Sequence, residues 1–187
     1  CVFCNQKRVT GVETVSKDDI DNKLKVYLNL FEDSNNDVEI AFFGGSFTAI
    51  DKKLQCELLE KAQREKNLGK IQRIRISTRP DCIDEEILEY LKEYSVDIIE
   101  LGVQSLDEDV LCKSKRGHSK EIVFKASKLI KEWGFTLGLQ QMIGLPGDNE
   151  EKSIKTSLQI ISMEPDFVRI YPTLVIKNTE LESLYLN

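Results

Sequence analysis

Glu100-Leu101-Gly102-Val103-Gln104 is the stretch on which the fold turns. Its odd positions are apolar and its even positions are polar or small, which is the period of a β-strand with one face in a core and the other lined by polar groups. The surrounding run, 97–103, is strand-like throughout. Gln140 and Arg169 interrupt two other apolar runs in the same way, near their C-terminal halves. Polar residues near the C-terminal ends of several different strands suit a barrel whose mouth holds a site. An open doubly wound sheet gathers its polar groups at one switch point instead. The pattern favours the barrel.

Outward from this strand, short apolar runs alternate with amphipathic ones. Residues 38–43 read as a strand that stops at Gly44-Gly45, and Leu54, Leu58, Leu59 and Ala62 then recur at helical spacing to about Asn67. A second strand over 71–77 closes at Thr78-Arg79-Pro80, and Asp84 caps a helix carrying Ile87, Leu88 and Leu91. After the Arg116-Gly117-His118-Ser119 turn, Ser119 is the expected cap of a long helix with Ile122, Val123, Ala126, Leu129, Ile130 and Trp133, ending at Gly134. Residues 135–143 form the next strand, Ile154, Leu158 and Ile161 mark another helix, and 167–171 is the last clear strand. Repeated strand–helix units of about thirty residues make a parallel sheet with right-handed crossovers. The expectation is a single α/β domain over 1–187, incomplete at both ends: a partial (β/α)6 barrel whose first strand precedes Cys1.

Composition is that of a globular chain, with 41% hydrophobic and 31% charged side chains in 187 residues. The 26 basic and 32 acidic groups leave a formal charge of −6, so nucleic-acid binding would have to come from a local patch. No window approaches eighteen consecutive apolar residues, and no membrane partner is expected. Cys56, Cys82 and Cys112 are scattered singly, as structural thiols in a reducing cytoplasm. Trp133 and the Phe42-Phe43 pair read as core, and the lysines around Arg116 as solvated.

Cys1-Val2-Phe3-Cys4 has a metal-ligand spacing. Thiolates suit iron and zinc, so an iron–sulfur cluster, a structural zinc and a redox dithiol are all open. Zinc wants four ligands, and the chain offers no second cysteine pair and only one histidine, His118. A redox dithiol wants a thioredoxin-type context that the pattern lacks. Gly44-Gly45 and Gly144-Leu145-Pro146-Gly147 each end a strand, where an absent β-carbon lets a ligand approach the backbone. Neither is a P-loop, since no Gly-Lys-Ser/Thr follows.

Taken in order, these segments resemble the radical S-adenosylmethionine superfamily. Cys1-Val2-Phe3-Cys4 is similar to the last two ligands of the signature C-x-x-x-C-x-φ-C, with Phe3 at the aromatic position. Phe42-Phe43-Gly44-Gly45-Ser46-Phe47-Thr48 resembles the glycine motif after the second strand. Ile76-Ser77-Thr78-Arg79-Pro80, Glu100 to Ser105, Arg116-Gly117-His118 and Met142 to Gly147 follow in the expected sequence. The similarity is greatest to the radical domain of the Elongator catalytic-subunit family and its shorter bacterial relatives.

The resemblance implies a [4Fe–4S] cluster held by three cysteines, with S-adenosylmethionine on its open iron. It implies an electron-driven cleavage of that sulfonium, giving a 5′-deoxyadenosyl radical that abstracts hydrogen from substrate. Cys1 and Cys4 would be cluster ligands, the remaining cysteine lying four positions before Cys1. Gly44, Gly45 and Ser46 would meet the methionine amino group, and Ser77, Gln104 and Arg116 would contact the cofactor. Gln140 would stand at a ribose-contacting position, and Gly144 would open the turn packed on adenine.

Ser46 departs from the glutamate that many members carry there. By the same resemblance tRNA is a candidate for a substrate that the sequence does not identify, the electron donor is of the flavodoxin or ferredoxin kind, and the acetyltransferase unit of the Elongator relatives is not seen. The segment by itself, with two of the three motif cysteines, is expected to be inactive. Two rival readings accompany this one: a binding module or zinc-holding scaffold on a degenerate barrel, and an enzyme like the oxygen-independent coproporphyrinogen oxidases.

Overall fold

The computed structural model describes residues 1–5, 22, 24–28, 30 and 37–186. Five strands, β1 (Glu39–Phe42), β2 (Arg73–Thr78), β3 (Ile98–Gln104), β4 (Thr136–Ile143) and β5 (Phe167–Pro172), form one sheet in chain order. Every neighbouring pair is parallel. The intervening helices are α1 (Lys52–Asn67), α2 (Glu85–Glu93), α3 (Glu108–Lys113), α4 (Lys120–Glu132) and α5 (Glu150–Ser162), with α6 (Glu180–Leu186) after β5. The order shows no reversal and hence no switch point, which removes the doubly wound alternative.

The sheet is curled. Four strand spacings, roughly 19 Å in a flat sheet, separate β1 from β5. Yet the Arg169 guanidinium of β5 lies 5.5 Å from the ring of Phe43, at the end of β1. The five strands therefore make a half-barrel, with a concave inner face and helices packed outside.

Alternation assigns the two faces. Ile74, Ile76, Ile99, Leu101, Val103, Leu137 and Leu139 point outward into the core, against Leu59, Leu88, Leu91, Val123, Ile130 and Ile160. Arg75, Ser77, Glu100, Gly102, Gln140 and Arg169 have the opposite parity and line the concave side. Phe43 shares that parity and is 50% exposed, so only its neighbour Phe42 joins Trp133 at the core.

Helix starts follow local chemistry. Asp51, Asp84, Asp107 and Asn149 each accept a backbone N–H three residues on. Ser119 occupies the N-cap of α4 but makes no capping bond, because its hydroxyl bonds Glu121. Gly134 ends that helix in the left-handed region. Helix α5 forms where its periodicity requires, but Ile154, Leu158 and Ile161 face outward while Thr156 and Ile160 are buried. Helix α3 was not expected; it is six residues long and rests on its Asp107 cap. Of the scattered cysteines, Cys56 and Cys82 are half-buried and Cys112 is exposed, so Cys112 is not a core thiol.

Candidate functional site

Parallel strands bring all their C-terminal ends to one edge, and the cysteine turn sits there. Val2, 1% exposed, anchors it. Its N–H donates to Ser114 O at 3.2 Å and its carbonyl accepts Leu181 N at 2.9 Å, which ties the turn to the end of α3 and the start of α6. Cys1 and Cys4 flank this plug with both thiols exposed, and Cys4 N closes the turn on Cys1 O at 3.4 Å.

Arg116 connects the turn to the sheet. One arm donates to Cys1 Sγ at 3.1 Å, and the other donates to Gly102 O, in the last part of β3, at 2.5 Å. Phe3 lies 5.9 Å from the same guanidinium. Burial, followed by the charge of Arg79, pulls the Arg116 pKa down to about 10, and it remains charged at neutral pH. Arg79 is itself held bidentately by Asp81 at 2.8 and 2.6 Å.

Gln104 sits where the register of β3 on β4 slips between Gly102 and Gln104. This irregularity re-aims the side chain at the strand end, and Gln104 adopts φ +70°, a conformation that costs about 1 kcal/mol or more outside glycine. Gly102 makes room for the arrangement. A β-carbon there would stand 3.1 Å from Gln104 Nε2 and 3.5 Å from Arg116 Nη2.

Ser77 and Gln140 meet across the concave face, Gln140 Nε2 donating to Ser77 Oγ at 3.4 Å and to Glu100 Oε2 at 2.6 Å. Glu100 is fully buried and also pairs with Arg75 at 2.5 Å and Arg169 at 3.1 Å. Arg75 reaches on to Glu39 of β1. Burial works to lower the Arg75 guanidinium, but the bonds to Glu39 and Glu100 outweigh it and raise the pKa. Neither Arg75 nor Glu100 stood among the candidate site residues, although the period of two puts both on the polar face.

Gly44, Gly45 and Ser46 follow β1 at the same edge and line a cavity of about 280 Å³ with Phe43, Phe47, Ile50 and Leu58. Gly44 has φ +106°, which only glycine adopts easily, and the space beside Gly45 is open. Thr48 fastens this loop to the end of β2, at 2.6 Å from both Thr78 Oγ1 and Cys82 O. Gly144 follows β4 with φ +79°, and its N–H goes to Asp148 Oδ2 at 2.9 Å. The structure thus joins Cys1, Arg116, Gly102 and Gln104 in one contact chain and Ser77, Gln140 and Glu100 in another. The two glycine turns stand on the shared edge, with no hydrogen bond to either chain.

His118 is buried, with Nδ1 3.4 Å from Ser119 O and Nε2 unpartnered. Gln104 Oε1 and Arg116 Nε are likewise buried without partners. Gln104 Oε1 and Arg116 Nε are thus an acceptor and a donor that a polar ligand at this edge could satisfy. No cluster of three or more His, Cys, Asp or Glu is gathered among the described residues. The donor set therefore fits a soft metal centre to the extent of two thiolates on one turn.

A parallel half-barrel with a CxxC turn and buried amides at the carboxyl ends of its strands defines a class, the radical S-adenosylmethionine proteins. The family model for the Radical SAM superfamily matches residues 1–157, and the chain belongs to that family. Among its relatives, the tRNA uridine(34) acetyltransferase of Methanocaldococcus infernus is 35% identical over 169 residues, covering 79% of this chain and 32% of the relative. Elongator complex protein 3 of Homo sapiens is 35% identical over 124 residues, covering 65% of this chain and 23% of that protein. The chain spans about a third or less of these relatives.

Among solved structures, the archaeal Elp3 of M. infernus matches with a TM-score of 0.78 and 29% identity, over 88% of this chain and 44% of that one. The coproporphyrinogen III oxidase HemN of Escherichia coli matches with a TM-score of 0.68 over 94% of this chain and 42% of its own. Its 21% identity speaks for the shared fold alone. The expected partial α/β barrel is present, as five parallel strands in a curled half-barrel. Among the described residues, no helix is long and apolar enough to cross a membrane.

Proposed function

We propose that this chain is the core of a radical S-adenosylmethionine enzyme acting on tRNA, in the manner of the Elongator-type relatives. The observation that carries the reading is Arg116, which spans from Cys1 Sγ to the carbonyl of Gly102 and so fixes the thiol turn against the strand ends. Cys1 and Cys4 would hold a [4Fe–4S] cluster together with one further cysteine, and the two orphaned groups, Gln104 Oε1 and Arg116 Nε, would complete their hydrogen bonding on S-adenosylmethionine. When bound, that pair supplies reductive carbon–sulfur cleavage and hydrogen abstraction, which is the cofactor's own chemistry.

The chain's residues bind and shield. The Gly44-Gly45-Ser46 turn leaves backbone approachable and would take the methionine end, Ser77 and Gln140 on the concave side would take the ribose, and Gly144 would open the turn that takes adenine. Arg116 adds a positive charge beside Cys1, where it would offset part of the negative charge of a thiolate-bound cluster. The tRNA assignment draws on the printed activity of the relatives, and with a formal charge of −6 any tRNA contact made by this segment would come from a local basic patch.

Anaerobic reconstitution of the complete protein tests the reading. About four irons per chain, with 5′-deoxyadenosine formed from S-adenosylmethionine and dithionite, is the expected result. Stoichiometric zinc with no nucleoside product would overturn it in favour of a scaffold. Faster turnover with a porphyrinogen than with tRNA would overturn the substrate alone.

A further inference from the structure

The concave face carries a set of charges that the function above leaves idle. Glu100, 0% exposed, stands on β3 between Arg75 of β2 and Arg169 of β5. Its Oε1 accepts from Arg75 Nη1 at 2.5 Å and from Arg169 Nη2 at 3.1 Å. Its Oε2 accepts from Gln140 Nε2 at 2.6 Å. Arg75 is backed in turn by Glu39.

A carboxylate with one oxygen claimed by two guanidiniums can only accept. Whatever faces Oε2 must donate, and this fixes the amide of Gln140. Its nitrogen turns toward Glu100 and Ser77, whose oxygens are both acceptors, and its carbonyl turns away from them. Nitrogen and oxygen of an amide differ little in shape, so the neighbouring charge has to choose between the two orientations. Gln140 Oε1 takes no hydrogen bond among the described residues and is free to accept one.

Resting on the reading that Gln140 meets the ribose of a bound nucleoside, we infer that Glu100 is a positioning residue, locked by Arg75 and Arg169, which makes Gln140 an acceptor for a sugar hydroxyl. A cis-diol is well served by an acceptor, the part that an acidic residue plays at dinucleotide sites. Here a neutral amide does the same work because a buried carboxylate holds its nitrogen.

Glu100→Gln tests the lock. The two arginines still require an oxygen, so the new amide turns its nitrogen to Gln140 and reverses it, presenting a donor to the ligand. The reciprocal pair, Glu100→Gln with Gln140→Glu, restores the original polarity: residue 100 donates, and the outer carboxylate oxygen accepts. The probe is S-adenosylhomocysteine, titrated calorimetrically into the complete, anaerobically reconstituted protein. The single variant binds about tenfold more weakly and the pair recovers to within about threefold of the parent. Removing both ribose hydroxyls from the probe weakens the parent about tenfold and the single variant little.

Parent-like affinity in Glu100→Gln, or a double variant no tighter than the single, overturns the inference. Should Glu100→Gln fail to fold, the parent's discrimination between the probe and its dideoxy analogue decides alone, and equal affinities sink the idea. A parent that binds no S-adenosylhomocysteine removes the proposed function and this inference with it. A parent that binds while the substitution changes nothing removes the inference only.

Discussion

Arg116 gathers more of the site than any other side chain, because its planar fork reaches a thiol with one arm and a strand carbonyl with the other. Lysine carries the same charge on a single ammonium and cannot span both at this geometry. Arg116→Lys should therefore keep close to full iron loading, since Cys1 and Cys4 are untouched, while 5′-deoxyadenosine formation falls about a hundredfold. Iron analysis alongside a single-turnover assay checks the split; loss of iron in proportion to activity would mean that Arg116 serves the fold of the turn and not the bound cofactor. At this scale residue type and spacing singled out Cys1, Cys4 and the two glycine turns, while Arg116 was singled out by the family resemblance. The sequence was silent on Glu100 and Arg75 as site residues, because a charge inside a strand reads the same whether its partner is water or a pair of guanidiniums from neighbouring strands.

Elements were legible wherever one local rule sufficed. The parity of β3 and the polar residues of β4 and β5 pointed to a barrel and against an open sheet, and four polar caps mark helix starts in the structure. The departures have a common cause in tertiary context. Helix α5 shows a sound periodicity whose apolar stripe faces outward, and Ser119 gave up its cap to Glu121. Phe43 is aromatic yet has the parity of the concave side, where Arg169 stacks over it. The caps themselves make a prediction that separates stability from chemistry. Asp84 Oδ1 accepts Ile87 N at 2.8 Å at the start of α2 and touches none of the candidate cofactor residues through that bond. Asp84→Ala should remove about 1 kcal/mol and lower the thermal midpoint by about 2–4 °C, while Asp84→Asn holds near the parent. Cofactor cleavage per iron should be unchanged in both. A midpoint unmoved by the alanine would show that the cap adds nothing at this helix.

For the molecule as a whole, pH reports on the packing behind the site through its lone histidine. His118 is 7% exposed; burial, reinforced by the Arg116 charge, lowers its pKa from the usual 6.5. Asp81 works in the opposite direction but does not prevail. The unfolded chain therefore binds a proton near pH 6.5 that the folded chain refuses until a lower pH. Between those values the unfolded state holds more protons, so stability rises with pH and is lost as pH falls below the ordinary histidine range. Unfolding midpoints in denaturant at pH 5.5 and 7.5 should differ, with the lower value at 5.5, and His118→Gln should flatten that difference. The interval suits the measurement because the pKa of Asp81, held below the usual carboxylate range by Arg79, leaves that ion pair intact at both pH values. A slope of equal size in the glutamine variant would place the titrating group elsewhere, and the buried imidazole beside Arg116 would then not be what couples this domain's stability to protons.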